Sequence, residues 1–163
     1  VETFEPWSAA RAGEIIAPHL SKEGPLLPIL HALQDTFGCV PREAVAIVAH
    51  ALNVSRAEVH GVVTFYHDFT ETPPGRRVVK LCRAESCQAM GAEAAAHVLL
   101  AALGLPTTDG WGGTTADGAV TVEPVYCLGL CPVSPAALID GEPLGRIDGK
   151  ALAEAVCGEA AGA

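Results

Sequence analysis

In the stretch PLLPILHALQDTFG, apolar side chains recur at Leu26, Leu30, Leu33 and Phe37, in steps of four, three and four. Such steps lay one apolar stripe along a helix. Gly38 follows, and glycine readily takes the left-handed conformation that ends a helix. VPREAVAIVAHALN restarts the pattern. Pro41 suits a first helical turn, Val45, Val48 and Leu52 repeat, and Asn53 can end it. In SRAE, Ser55 and Glu58 have the offset of a capping box, which opens a third helix with Val59, Val62 and Tyr66 on one side. An earlier, less regular helix is expected over about 8–20.

ETPPGRR interrupts this texture, because Pro73, Pro74 and Gly75 cannot continue a helix. Beyond it RRVVKLC reads as a strand, and MGAEAAAHVLLAALG as a helix ended by Gly104 and Pro106. TTADGAVTVEPVYC reads as two strands about an Asp117-Gly118 turn, and AALIDGEPLGRI repeats the device with Asp140-Gly141. DGKALAEAVCG predicts a last helix, with Asp148 as N-cap and Gly158 as stop. Strand, helix, hairpin, hairpin and helix in that order predict a small mixed α/β domain, one sheet with helices against it. The expected organisation is α+β: an N-terminal helical bundle over 1–72, then a mixed α/β domain over 76–163.

Half of the 163 residues are hydrophobic, enough to bury a core. A formal charge of −9 and a pI near 5.0 disfavour nucleic acid, whose phosphates demand clustered Lys and Arg. The basic residues cluster locally only at Arg76, Arg77, Lys80 and Arg83. Apolar runs such as AAAHVLLAALGL stop short of the roughly 20 residues a spanning helix needs, so no direct membrane insertion is expected. VETFEPWSAARAGE lacks the basic-then-apolar layout of a secretory signal, and a cytoplasmic location is expected. Six cysteines are sparse for a disulfide scaffold of this length. No Walker loop is present, and no G-x-G-x-x-G follows a strand.

Four of the cysteines form two pairs. Cys82 and Cys87, with four residues between them, bracket a strand-to-helix loop; Cys127 and Cys131, with three between, bracket a loop leaving a strand. If the first and third strands are neighbours, both loops open at one end of the sheet and four sulfurs converge. Gly129 then lets the backbone approach the centre, and Pro132 stiffens the exit. Four thiolates packed together need cations between them. Zinc is one answer, but its pairs are most often two residues apart. A 2Fe–2S cluster is the other, and wider loops can wrap it. The spacing favours the cluster and leaves a zinc-stabilised interaction module open. A thioredoxin-type dithiol needs two residues between its thiols, and a Rieske centre needs two histidine ligands. The histidines, at 19, 31, 50, 60, 67 and 97, lie apart from the four cysteines, and those at 31, 50, 60 and 97 read as helix-surface or packed side chains. Cys39 and Cys157 close apolar helix patterns and read as small buried hydrophobes.

PILHALQDTFGCVPREAVAIVAHALNVSRAEVHGVVTFYHDF, followed by KLCRAESCQAMGAEA and VYCLGLCPVSPAALIDGEPLGRI, resembles the thioredoxin-like 2Fe–2S subunit of NADH-oxidising complexes. That family includes the small iron–sulfur subunit of respiratory complex I, its counterparts in NAD-linked hydrogenases and the gamma subunit of NAD-dependent molybdenum formate dehydrogenases. The likeness runs from about Gly24 to Cys157, and CRAESCQAMG is most similar to the formate dehydrogenase branch. The resemblance implies a thioredoxin-like second domain and one 2Fe–2S cluster held by Cys82, Cys87, Cys127 and Cys131. It implies an electron-transfer subunit with no substrate site of its own. Its partners would be a flavin- and NAD-binding subunit, against which the region over about 8–70 docks, and other iron–sulfur or molybdenum subunits. An all-cysteine cluster of this kind carries a formal charge of about −2, so amides near Gly129 and Ala84 to Ser86, together with Arg83, would ease its reduction, and Glu85 would oppose it.

Overall fold

The computed structural model describes residues 4–107 and 112–160. Residues 1–3 and 161–163, the ends of the two expected regions, lie outside the described residues. The chain divides into two compact units, Val1–Pro73 and Pro74–Ala163. Among the described residues, no helix is long and apolar enough to cross a membrane.

The first unit is helical: α1 (Ala9–Ile16), α2 (Leu26–Phe37), α3 (Arg42–Leu52) and α4 (Arg56–Phe65). The first helix is shorter than the expected 8–20, because Pro18 has no N–H to donate and its ring crowds the preceding turn. The chain tightens there into a 3-10 turn, Ala17–His19. In α2 the stripe forms as read: Leu30, Leu33 and Phe37 are buried and Leu26 is half-buried. Gly38 caps it at φ 76°, and its N–H reaches the Gln34 carbonyl at 2.7 Å. Asn53 ends α3 in the same left-handed region. The capping box of α4 is closed in both directions, Glu58 N to Ser55 Oγ at 3.1 Å and Ser55 N to Glu58 Oε2 at 2.8 Å. Its inner face differs from the expected one: Val59 and Val63 are buried, Val62 is half-buried and Tyr66 is exposed. Tyr66 stands beyond the last helical residue in extended backbone, so the helical period no longer aims it inward. Cys39 is buried as expected, and burial, with the nearby Glu43 charge, pushes its thiol up.

The second unit is built on β1 (Arg77–Cys82), α5 (Glu85–Ala89), α6 (Ala92–Ala102), β2 (Gly113–Thr114), β3 (Val120–Val125), β4 (Ala136–Ile139), β5 (Glu142–Gly145) and α7 (Gly149–Ala160). The sheet order is β2-β3-β1-β4-β5. The central strand β1 runs parallel to β3 and antiparallel to β4, and the outer pairs are antiparallel. Both expected hairpins are present, although the first arm of the first is two residues long. Thr115 and Asp117 hold its turn by accepting the Ala119 N–H at 3.1 and 3.0 Å. The helix expected from Met90 begins at Ala92, and Gly91 at φ 93° separates it from the short α5. Gly158 does not stop the last helix: α7 runs through it to Ala160. Glycine inside a helix costs only about 1 kcal/mol relative to alanine, and here it lies on an exposed face. Cys157 is half-buried and not part of the apolar core.

Alternation along β1 sends Val79 and Leu81 to one face. The register places Val122 and Ile139 beside Val79, and Ala137 beside Leu81. This face packs against Ala95, Ala96, Leu99 and Leu100 of α6 and Leu152 and Val156 of α7. The two helices meet closely: a Cβ on Gly149 would stand 2.9 Å from the Val98 Cβ. Lys80 and Glu123 alternate to the opposite face, their charges 3.8 Å apart. The result is an α+β chain, a helical unit followed by a mixed-sheet unit with helices against it. Because Leu99 is fully buried and Val98 is 43% exposed, Leu99→Ala is expected to cost about 2–5 kcal/mol and Val98→Ala under about 1 kcal/mol. Urea unfolding midpoints measure both, and equal losses would contradict this core.

Candidate functional site

β1 and β3 lie side by side and run the same way, with Cys82 in register with Val125. Their C-terminal loops therefore leave the sheet at the same end. The Arg83 N–H donates to the Val125 carbonyl at 2.7 Å, extending the pairing one step into the loops. The two cysteine pairs sit on those loops. Cys82 ends β1 and Cys87 lies in α5; Cys127 follows β3 and Cys131 opens a 3-10 turn, Cys131–Val133.

The four thiols differ in exposure. Cys82 and Cys87 are buried, at 3% and 2%, while Cys127 and Cys131 are exposed. Burial pushes the Cys82 thiol up. Hydrogen bonds from the Ala84 amide, the Cys87 thiol and the amides of Leu128 and Cys127 outweigh it and hold Cys82 below its ordinary value. Cys87 goes the other way: burial raises it, as do the hydrogen bond with Cys82 and the charges of Cys82 and Cys131, against a bond from the Ala136 amide. The interactions also cross between loops: amides after β3 serve a sulfur at the end of β1, and Cys131 acts on Cys87.

The second loop is bent to do this. Cys127, a non-glycine residue, has φ 104°. Such a backbone costs on the order of 1–3 kcal/mol and persists only where its surroundings hold it. Gly129, at φ 74°, donates its N–H to Cys127 Sγ at 3.3 Å. Apart from its chain neighbours, no atom of the described residues lies within 4 Å of where a Gly129 Cβ would be, so the positive φ alone calls for glycine. Ser86 Oγ and Ser134 Oγ meet at 2.9 Å, joining the first loop to the segment beyond Cys131. The Ser134–Pro135 peptide is cis.

The expected amides at Ala84 and Gly129 do point at sulfur. Those of Cys127, Leu128 and Ala136 escape a reading of the sequence, because their aim depends on a backbone bend at a residue type that carries no signal of it. Ser86 and Ser134 escape it too, being ordinary polar residues in sequence. Glu85 is exposed in the first turn of α5, and Arg83 is half-buried, its carbonyl accepting the Gln88 side chain at 2.7 Å. The helical histidines, His31, His50, His60 and His97, are all exposed.

Among the described residues, no group of three or more His, Cys, Asp or Glu side chains is gathered closely enough to hold a single metal ion. The donor set nevertheless suits an iron–sulfur cluster: thiolate sulfur, supplied from two spaced pairs, with backbone N–H groups already directed at it. Amides offset the negative charge that thiolates and cluster bring, without adding a side-chain cation.

Comparison with known proteins agrees. The family model of the thioredoxin-like 2Fe-2S ferredoxins matches residues 12–158. One subunit of the NADH-quinone oxidoreductase of Pseudomonas aeruginosa is 36% identical over 118 residues, which cover 72% of this chain and 69% of that protein. The NADP-reducing hydrogenase subunit HndA of Solidesulfovibrio fructosivorans is 32% identical over 126 residues, 77% of this chain and 71% of that one. The crystal structure of an NAD+-reducing NiFe hydrogenase in the air-oxidised state superposes with a TM-score of 0.65 at 30% identity, covering 82% of this chain but 23% of that chain. The chain belongs to the thioredoxin-like 2Fe-2S ferredoxin family, and a 2Fe–2S cluster is its cofactor.

Proposed function

We propose that this chain is the electron-transfer subunit of an NAD-linked oxidoreductase complex, and that Cys82, Cys87, Cys127 and Cys131 hold its cluster. The observation that carries this reading is the parallel pairing of β1 with β3, Cys82 in register with Val125, which brings both cysteine-bearing loops to one end of the sheet. When bound, a 2Fe–2S cluster takes up and returns one electron at a time. The residues of the chain set the conditions for that exchange. Cys82 and Cys87 anchor the inner side against the apolar core and keep water away. Cys127 and Cys131 face outward, so electrons enter or leave on their side, where Tyr126 is also exposed. The amides of Ala84, Cys127, Leu128, Gly129 and Ala136 stabilise anionic sulfur and favour the reduced state.

With no nucleotide-binding motif in the sequence, hydride chemistry falls to a partner, a flavin- and NAD-binding subunit of the same complex. The helical unit offers a contact for it. Phe65 is 73% exposed, and its ring packs edge-on at 5.1 Å against the exposed Tyr66. Aromatic side chains are enriched at protein contacts, and adjacent exposed ones offer an apolar patch for a partner to cover. Other iron–sulfur or molybdenum subunits complete the proposed assembly. The likeness of CRAESCQAMG to the formate dehydrogenase branch favours an NAD-dependent molybdenum formate dehydrogenase over complex I or a hydrogenase as the parent.

Cysteine variants test the ligand set. Cys82→Ser, Cys87→Ser, Cys127→Ser and Cys131→Ser are each expected to lose or visibly alter the cluster absorbance, and Cys39→Ser to leave it unchanged. A parent-like spectrum in any of the first four would remove that residue from the set. Purification of the native complex tests the parent. Molybdenum and formate-dependent NAD reduction in the same fraction are expected; nickel, or a membrane arm with quinone reductase activity, would contradict the formate dehydrogenase reading.

A further inference from the structure

Backbone pairing brings the two cysteine loops to one end of the sheet, with the Arg83 N–H on the Val125 carbonyl and Ala137 of β4 beside Leu81 of β1. Beyond Cys131, the segment is held on its outer side, where Arg146 N–H donates to the Val133 carbonyl at 2.6 Å and Ile147 N–H to the Pro135 carbonyl at 2.9 Å. Both bonds tie it to the β5 end of the sheet, and neither reaches the loop that carries Cys82 and Cys87. The Ser86–Ser134 hydrogen bond does. It spans 48 positions of sequence and is partly buried.

Resting on the ligand set given above, we propose that Ser86 and Ser134 form a clasp that positions the two cysteine pairs relative to each other, and so controls how firmly the cluster is held and how its electron is distributed. Each serine is rigidly linked to a ligand. Ser86 directly precedes Cys87 inside α5. Ser134 ends the 3-10 turn that Cys131 begins, and its N–H donates to the Cys131 carbonyl at 3.2 Å. A shift of Ser134 is therefore carried to Cys131 through one short turn. The Ala136 amide, which serves the Cys87 sulfur, lies two residues farther on and moves with it. The clasp closes the Cys87–Cys131 side of the site, as the Cys127 and Leu128 amides close the Cys82 side. Ser86 and Ser134 are positioning residues in this account; they act through the cysteines and are not ligands.

The test compares Ser86→Ala, Ser134→Ala, the double variant, Ser86→Thr and Cys87→Ser with the parent protein, all reconstituted with iron and sulfide under anaerobic conditions. Three readouts are followed: the rate at which an iron chelator bleaches the visible absorbance, the line shape of the paramagnetic signal after one-electron reduction, and the circular dichroism of the cluster-free chain. Each alanine variant is expected to bleach about three- to tenfold faster, the size of one net hydrogen bond, and to shift or broaden the paramagnetic signal. Cluster-free circular dichroism stays parent-like. The double variant matches the singles, because either substitution already opens the clasp. Ser86→Thr, which keeps the hydroxyl, restores parent behaviour. Additive effects in the double variant, or faster bleaching with an unchanged paramagnetic signal, would overturn the clasp. Parent-like alanine variants beside a lost cluster in Cys87→Ser overturn the clasp and leave the ligand set standing. A parent-like Cys87→Ser overturns the ligand set, and the clasp with it.

Discussion

The parallel pairing of β1 with β3 is the constraint on which the site depends. Antiparallel neighbours would send the loops after the two strands to opposite ends of the sheet, and the cysteine pairs could not meet. Parallel neighbours require a long crossover, and the residues between Cys82 and Val120 supply it, with α5 and α6 inside it. The crossover is also where the apolar core is made, since Leu99 and Leu100 of α6 press on Val79, Val120 and Val122. Core and site therefore share one cause. Residues that bury α6 against the sheet also hold β1 and β3 in the register that brings Cys82 opposite Val125.

Electrostatics then decides how such a site is tolerated. The chain is acidic, at −9, and sulfur ligands add further negative charge. The fold answers with backbone dipoles rather than with lysines. Amides from both loops converge on the sulfurs, and the left-handed backbone of Cys127 and Gly129 belongs to the loop that presents them. Burying Cys82 and Cys87 disfavours their charged forms, yet the hydrogen bonds on Cys82 are numerous enough to reverse that effect there and not at Cys87. The asymmetry between a buried inner pair and an exposed outer pair gives the site a direction, with the sheet behind it and solvent, or a partner, in front.

Much of this is legible in the sequence, for identifiable reasons. The stripe of α2 is readable because helical period and burial coincide there, and the Ser55–Glu58 box because its chemistry is local; in α3 the period is right but the buried face is Ala44, Val48 and Ala49, with Val45 and Leu52 half-buried. Turn residues mark both hairpins. The readings that fail depend on context. An inward Tyr66 comes from extending a period past the point where the helix ends. Gly158 has the look of a stop, although a glycine on an exposed helix face ends nothing unless the following chain turns away. The cysteine pairs are visible as a pattern, but their meeting hangs on a strand order that spacing cannot give. The Ser86–Ser134 contact, between residues 48 positions apart, leaves no local trace at all.

The central claim is that two loops, distant in sequence, gather four sulfurs around one binuclear centre. Analysis of anaerobically prepared protein for iron and acid-labile sulfide, with spin counting after one-electron reduction, addresses it most directly. The account predicts about two irons, two sulfides and one unpaired spin per chain, as an all-cysteine 2Fe–2S centre requires. Zinc in place of iron, or iron without labile sulfide and without a spin on reduction, would contradict it.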